Sequence, residues 1–135
     1  MATKNKYKFS RISKKNLSEC HPILQEIFNE VIKIIDCRVI EGYRPKEEQN
    51  KAYHAGFSDL RYPKSKHNRK PSLAADVIPY PVDWEDHERF HYFAGIVKGV
   101  AFSLGYKIRW GGDWKNNNSL QGSDLPHFEL IGVRK

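Results

Sequence analysis

Two groups of residues in this 135-residue chain have the types and spacing for metal chemistry. The first is His87-Glu88-Arg89-Phe90-His91, a literal H-E-x-x-H, which on a helix sets both imidazoles on one face with the glutamate as base. Its surroundings argue against it. Arg89 lies inside the motif and Lys98 stands on the flank of His91, so cations would oppose a bound dication. Glu88 falls opposite the apolar stripe of its helix, in water. The pair reads better as two histidines on the partly solvated flank of a packed helix.

The second group is Ser65-Lys66-His67, then Asp76, then Asp124-Leu125-Pro126-His127. Taken singly, each residue is bland. Together they are not. Asp76 interrupts the apolar run from Leu73 to Ile78, where a buried, unpartnered carboxylate is expensive. His127 opens a strand whose next residues, Phe128 to Ile131, have core character, and Asp124 precedes it after the turn signals Gly122 and Ser123. Two histidines and a carboxylate can hold zinc with a fourth position open for water. Zinc lowers the pKa of such a water towards about 7, and Asp124 stands where a general base would be needed.

The elements that must carry these residues follow from periodicity and punctuation. Residues 1 to 16 are polar and basic, with Tyr7, Phe9 and Ile12 as apolar anchors; a frayed start with a short helical turn near Ser13 is expected. Pro22 opens a helix, and Ile23, Leu24, Ile27, Phe28, Val31 and Ile32 give it one apolar stripe to about Ile35. Cys37 to Tyr43 reads as a strand, with Gly42 marking a bend or a close backbone approach. Arg44-Pro45 ends it and places the Arg44 charge at a corner. Lys46 to Ala55 is a short helix capped by Gly56.

Phe57 to Ser72 is a long basic loop, of the kind that is often functional. Leu73 to Tyr80 is a strand, and Asp83 is the expected N-cap of a helix from Trp84 to Leu104. Tyr106 to Trp110 is a strand, Gly111 to Gly122 a loop, and His127 to Ile131 the last strand. The order suggests a single α+β domain over 1–135, a mainly antiparallel sheet packed with about three helices.

Composition bounds the rest. A chain of this length buries about two-thirds of its unfolded surface without staples. Cys20 and Cys37 form no CxxC pair; Cys37 is expected to be a buried thiol, which suits a reducing compartment. No apolar run approaches the roughly 18 residues of a membrane span, and no secretion signal is read. The net charge of +7 fits nucleic acid, a solvated basic tail, or an anionic cell wall.

The combination Ser65-x-His67, Ala74-x-Asp76 and Asp124-x-x-His127 resembles the signature of the zinc peptidases that cut peptidoglycan peptides. These are the D-alanyl-D-alanine carboxypeptidases, the vancomycin-resistance D,D-dipeptidases and the phage L-alanyl-D-glutamate endolysins. Glu41-Gly42-Tyr43-Arg44, Asp76-Val77-Ile78-Pro79-Tyr80 and Arg109-Trp110-Gly111-Gly112-Asp113-Trp114 are similar to the small phage endolysin branch. The resemblance spans about residues 20 to 131. One departure is local: family members commonly place the histidine and aspartate seven residues apart, with a glycine between, whereas His67 and Asp76 are nine apart. A loop extension can absorb this with both ends in place.

The resemblance implies a hedgehog/D,D-peptidase-like fold with one zinc on His67, Asp76 and His127, and Asp124 as general base. It implies that Arg44 steadies the developing oxyanion, an ion pair to a neighbouring glutamate being the alternative. Ser65 is expected to touch substrate or to steady the His67 loop, and Gln49 and Trp114 to touch substrate. Trp110 is a weaker wall residue, and Asp113 either orients a ligand histidine or shapes a turn. The implied partner is the peptidoglycan stem peptide of a bacterial wall, cut at the L-alanyl-D-glutamate bond by a monomer that binds no nucleic acid and enters no membrane. Such a lysin waits in the host cytoplasm until a holin opens the membrane. The alternatives are a D,D-carboxypeptidase or dipeptidase with the same site, a non-catalytic basic nucleic-acid-binding phage protein, or a structural tail or scaffold protein.

Overall fold

In the computed structural model, which describes residues 6–133, four strands form one antiparallel sheet. They are β1 (Cys37–Glu41), β2 (Ala74–Pro79), β3 (Ile108–Trp110) and β4 (His127–Leu130), in the order β1-β2-β4-β3. The two central strands are almost wholly buried, as strands covered on both faces must be. Their register sets Asp76 opposite His127, so two of the residues singled out above meet as cross-strand neighbours.

The helices are α1 (Arg11–Ser18), α2 (Pro22–Val31), α3 (Lys46–His54) and α4 (His87–Ser103), with a 3₁₀ turn at Lys66–Asn68. Leu24, Ile27, Phe28 and Val31 of α2 meet Phe93, Ala94, Val97 and Ala101 of α4 in the core. Phe128 joins them to the sheet, its ring edge-on to Phe28 at 5.6 Å and near-perpendicular to Phe93 at 5.9 Å. Cys20 and Cys37 are buried free thiols, and burial pushes both up to about 12. Among the described residues no helix is long and apolar enough to cross a membrane.

Several boundaries differ from expectation, each for a local reason. Of the segment expected to fray, residues 1–5 lie outside the described residues, whereas 11–18 are a full helix. Ser10 caps it by accepting from the Ser13 amide at 3.1 Å. The helix covers the open edge of β1: Ser13 Oγ accepts from the Val39 amide at 3.1 Å, and Asn16 donates to the Val39 carbonyl at 2.9 Å. The cap of α4 is Asp86, which accepts from the Arg89 amide at 3.2 Å; Asp83 instead accepts from the Glu85 amide at 3.0 Å and shapes the turn before it. Trp84 therefore lies outside the helix, stacked on Phe90 at 5.6 Å. Helix α2 ends at Val31, four residues early, and gives way to turns. Gly56, just beyond α3, has φ +81°, the left-handed conformation a capping glycine adopts.

Candidate metal centre

His67 is placed by the short turn that carries it. Ser65 Oγ accepts from the His67 amide at 3.2 Å, and Asn68 returns a side-chain oxygen to the Ser65 amide at 3.1 Å, a capping box in miniature. The imidazole is buried, and its Nδ1 lies 2.8 Å from the Gly42 carbonyl. A carbonyl only accepts, so Nδ1 carries the proton and Nε2 keeps a free lone pair. Gly42 itself is pressed against the first helix, where a Cβ would sit 2.3 Å from the Asn16 carbonyl oxygen.

His127 is oriented from the other side. Its Nε2 is 2.7 Å from Glu129 Oε1, which leaves Nδ1 directed at the remaining members. His67 Nε2 is 3.2 Å from Asp76 Oδ1 and 3.3 Å from His127 Nδ1, and the last two are 3.4 Å apart. Three corners of a tetrahedron with metal–ligand bonds of about 2.0–2.1 Å are separated by about 3.3–3.4 Å. The triangle therefore has the size a zinc ion needs, and two imidazoles with one carboxylate are a donor set that zinc accepts. Among the described residues this is the cluster able to hold a metal ion.

The electrostatics agree with the geometry. Burial alone would raise the Asp76 carboxyl, but the adjoining imidazoles of His67 and His127 outweigh it and hold the group well below the carboxylate range. Burial opposes a charged His127, yet hydrogen bonds to Asp76 and Glu129 win and raise it to about 9. In the metal-free protein this proton must leave before the ring can bind a metal. Asp124 Oδ2 lies 4.0 Å from His127 Nδ1 with its side chain half exposed. Burial and the nearby Asp76 charge raise its carboxyl, the direction that makes a carboxylate a better base.

The surrounding residues separate into those that face the site and those that support it. Arg44 is tied to Glu41 through both Nε and an Nη, donates to Gln49 Oε1 at 3.0 Å, and leans on Asp76 Oδ2 at 3.6 Å. The ion pair weighed as its alternative role is thus present. Gln49, expected to touch substrate, is fully buried behind Arg44: it accepts from Arg44 and Asn68 and donates to Ser58 Oγ and the Leu60 carbonyl. Its amide is used up in support. Ser65 is also buried and steadies the His67 turn.

Trp114 is exposed, with its ring 5.1 Å from that of His127, which places it beside the cluster. Trp110 is core, with its indole donating to the Leu125 carbonyl at 2.6 Å. Asp113 accepts from the amides of Asn117 and Asn118, with Lys98 Nζ 3.8 Å away, and so takes the turn-shaping role. His91 of the H-E-x-x-H stretch has Nδ1 2.7 Å from the His87 carbonyl and its ring edge-on to Trp110, a packing role.

Glu129 was missed by sequence reasoning. The signal was there: it lies two residues after His127, on the same face of a buried strand, and is a carboxylate among apolar neighbours just as Asp76 is.

Comparison with known proteins agrees. Residues 5–131 match the model of a family described as phage L-alanyl-D-glutamate peptidase. The chain is 30% identical to the L-alanyl-D-glutamate peptidase of Escherichia phage T5 over 137 aligned residues, covering 93% of this chain and 98% of that protein. Its fold is similar to the crystal structure of the L-Ala D-Glu endopeptidase ChiX of Serratia marcescens, with a TM-score of 0.74 and 27% identity. That match covers 95% of this chain and 93% of the other.

Proposed function

Because the chain belongs to the phage L-alanyl-D-glutamate peptidase family and is a peptidoglycan peptidase, we propose that it is a zinc-dependent endopeptidase. It cuts the L-alanyl-D-glutamate bond of the stem peptide. The observation that carries the metal is the triangle of His67 Nε2, Asp76 Oδ1 and His127 Nδ1, with sides of 3.2–3.4 Å. These three residues would hold one zinc ion. When bound, zinc supplies a Lewis acid for the scissile carbonyl and makes a neighbouring water acidic near neutral pH.

The protein's own groups do the rest. Asp124, half exposed beside His127, accepts a proton from the attacking water and returns one to the leaving amine of D-glutamate. Arg44 holds a fixed positive charge beside Asp76, pinned by Glu41 and Gln49. Pinning it in advance suits stabilisation of charge on the carbonyl oxygen, since no reorganisation is needed as the charge develops. Trp114 walls the groove and shields the reacting bond from bulk water. The enzyme acts as a monomeric endolysin, held in the host cytoplasm until the membrane is opened to the wall.

The test is mass spectrometry of fragments released from purified peptidoglycan, with and without a zinc chelator. Chelator-sensitive peptides beginning at D-glutamate are expected, and activity should return with zinc. Loss of only a terminal D-alanine would move the enzyme to the carboxypeptidase branch. Full activity after exhaustive chelation would remove the metal.

A further inference from the structure

Glu129 and His127 leave the same face of β4, and Glu129 is 7% exposed. One of its oxygens is 2.7 Å from His127 Nε2. The other is 3.2 Å from Lys66 Nζ and 3.5 Å from an Nη of Arg109. Lys66 directly precedes His67 in the 3₁₀ turn, and its ammonium also donates to the Leu130 carbonyl. A single carboxylate therefore touches both the strand that carries one histidine and the turn that carries the other.

We propose that Glu129 is a positioning residue of the metal site: it locks His127 in the tautomer whose Nδ1 faces His67 and Asp76, and through Lys66 it ties the His127 strand to the His67 turn. The proposal rests on reading His67, Asp76 and His127 as zinc ligands. The chemistry is specific. A neutral imidazole carries its proton on either nitrogen, and its ring can turn about the side-chain bonds. An acceptor at Nε2 keeps the proton there, frees the Nδ1 lone pair and fixes the ring plane. His67 receives the same service from the Gly42 carbonyl, at its opposite nitrogen. Lys66 and Arg109 in turn keep Glu129 from swinging away.

The test uses the full chain, stripped with a chelator and reloaded with zinc, in the wild type and in Glu129→Leu, Glu129→Gln and Lys66→Met. Zinc affinity is measured by competition with a chromophoric chelator, and the His127 tautomer by nitrogen-15 NMR of the imidazoles. In zinc-loaded wild type the Nε2 proton is expected on His127, with Nδ1 engaged by the metal. Glu129→Leu should weaken zinc binding by about 10- to 100-fold. Glu129→Gln, which keeps an acceptor oxygen, should lose less but remain weaker than wild type, and Lys66→Met should also bind more weakly.

Melting curves of the zinc-free variants separate affinity from folding. If Glu129→Leu does not fold, the other two carry the test. Wild-type affinity in both of them would overturn the role of Glu129 while leaving the metal site intact. Failure of the wild type to take up zinc would overturn the ligand assignment itself, and this role with it.

Discussion

At the scale of single residues, the site divides its labour between groups that are fixed by hydrogen bonds and one that is not. His67, Asp76 and His127 are each oriented by neighbouring polar groups, whereas Asp124 keeps half its side chain in solvent. On the proposed mechanism a ligand must not move, whereas a proton carrier must reach both water and leaving group. Asp124→Asn should therefore retain zinc, by metal analysis, while turnover of stem peptides falls by about 10²- to 10⁴-fold. His127→Ala should lose the metal itself. Substantial turnover in Asp124→Asn would mean that another group moves the proton. The cluster of His67, Asp76 and His127 was legible in the sequence because a charge in an apolar run and a histidine opening a core strand both need an explanation, and the motif resemblance added His67. Glu129 was not, because its pairing with the far nitrogen of His127 depends on side-chain rotamers along β4 that residue spacing does not specify. Gln49 was misjudged for a related reason: spacing placed it near Arg44 but could not say that its amide would be consumed there.

At the scale of elements, a close approach of backbone helps to bring the parts together. Gly111 packs on the segment before β4, where an added Cβ would lie 2.1 Å from the Asp124 carbonyl oxygen and 2.8 Å from the Asp124 Cβ. Gly111 thus seats Asp124, whereas Gly112 makes room for the Trp110 ring, which lies 2.2 Å from where an added Cβ would stand. Gly111→Ala should push Asp124 off its position; displacements near 1 Å can cost on the order of 10²-fold in rate. Zinc content is the control: the Gly111 amide also donates to the His127 carbonyl at 2.8 Å, so metal analysis shows whether the shift stops at Asp124. Retained zinc is expected because the Gly111 amide survives the substitution. A rate equal to wild type would show that the Asp124 segment can yield. Helix α1 offers a stability test. Ser13 is buried and is the acceptor for the Val39 amide, so Ser13→Ala leaves a buried donor without a partner. Urea denaturation should show a loss of about 1–3 kcal/mol. Only a short turn near Ser13 was legible in the sequence, and the full length of this helix was not, because its buried face is partly polar: Ser13 and Asn16 face the edge of β1, and no apolar stripe announces them.

At the scale of the whole molecule, local pattern fixes strands and helices but not which strands pair. Asp76 and His127 are distant in sequence and adjacent in space, and nothing in the alternation of β2 or β4 dictates that register; the motif resemblance did. The two-residue lengthening between His67 and Asp76 is likewise resolved only in space. Its end docks on the corner between α1 and α2, where the Ser72 amide donates to the Glu19 carbonyl at 2.9 Å and the His21 amide to the Ser72 carbonyl at 2.8 Å. The ligand ends stay put while the extra chain is tied down elsewhere. Charge is the remaining property that belongs to the molecule as a whole. Its net value of +7 is not needed by the metal site, whose ion pairs are local, but an anionic wall would concentrate a basic enzyme on its polymer. Such attraction is screened over about 8 Å at physiological ionic strength. Hydrolysis of intact, anionic cell walls should therefore fall several-fold as salt rises from about 0.05 to 0.5 M, across the range where screening shortens. Cleavage of a short, soluble, neutral stem-peptide substrate should stay nearly constant over the same series. Equal salt dependence for both substrates would place the effect in the active site and leave the basic surface without a part in wall binding.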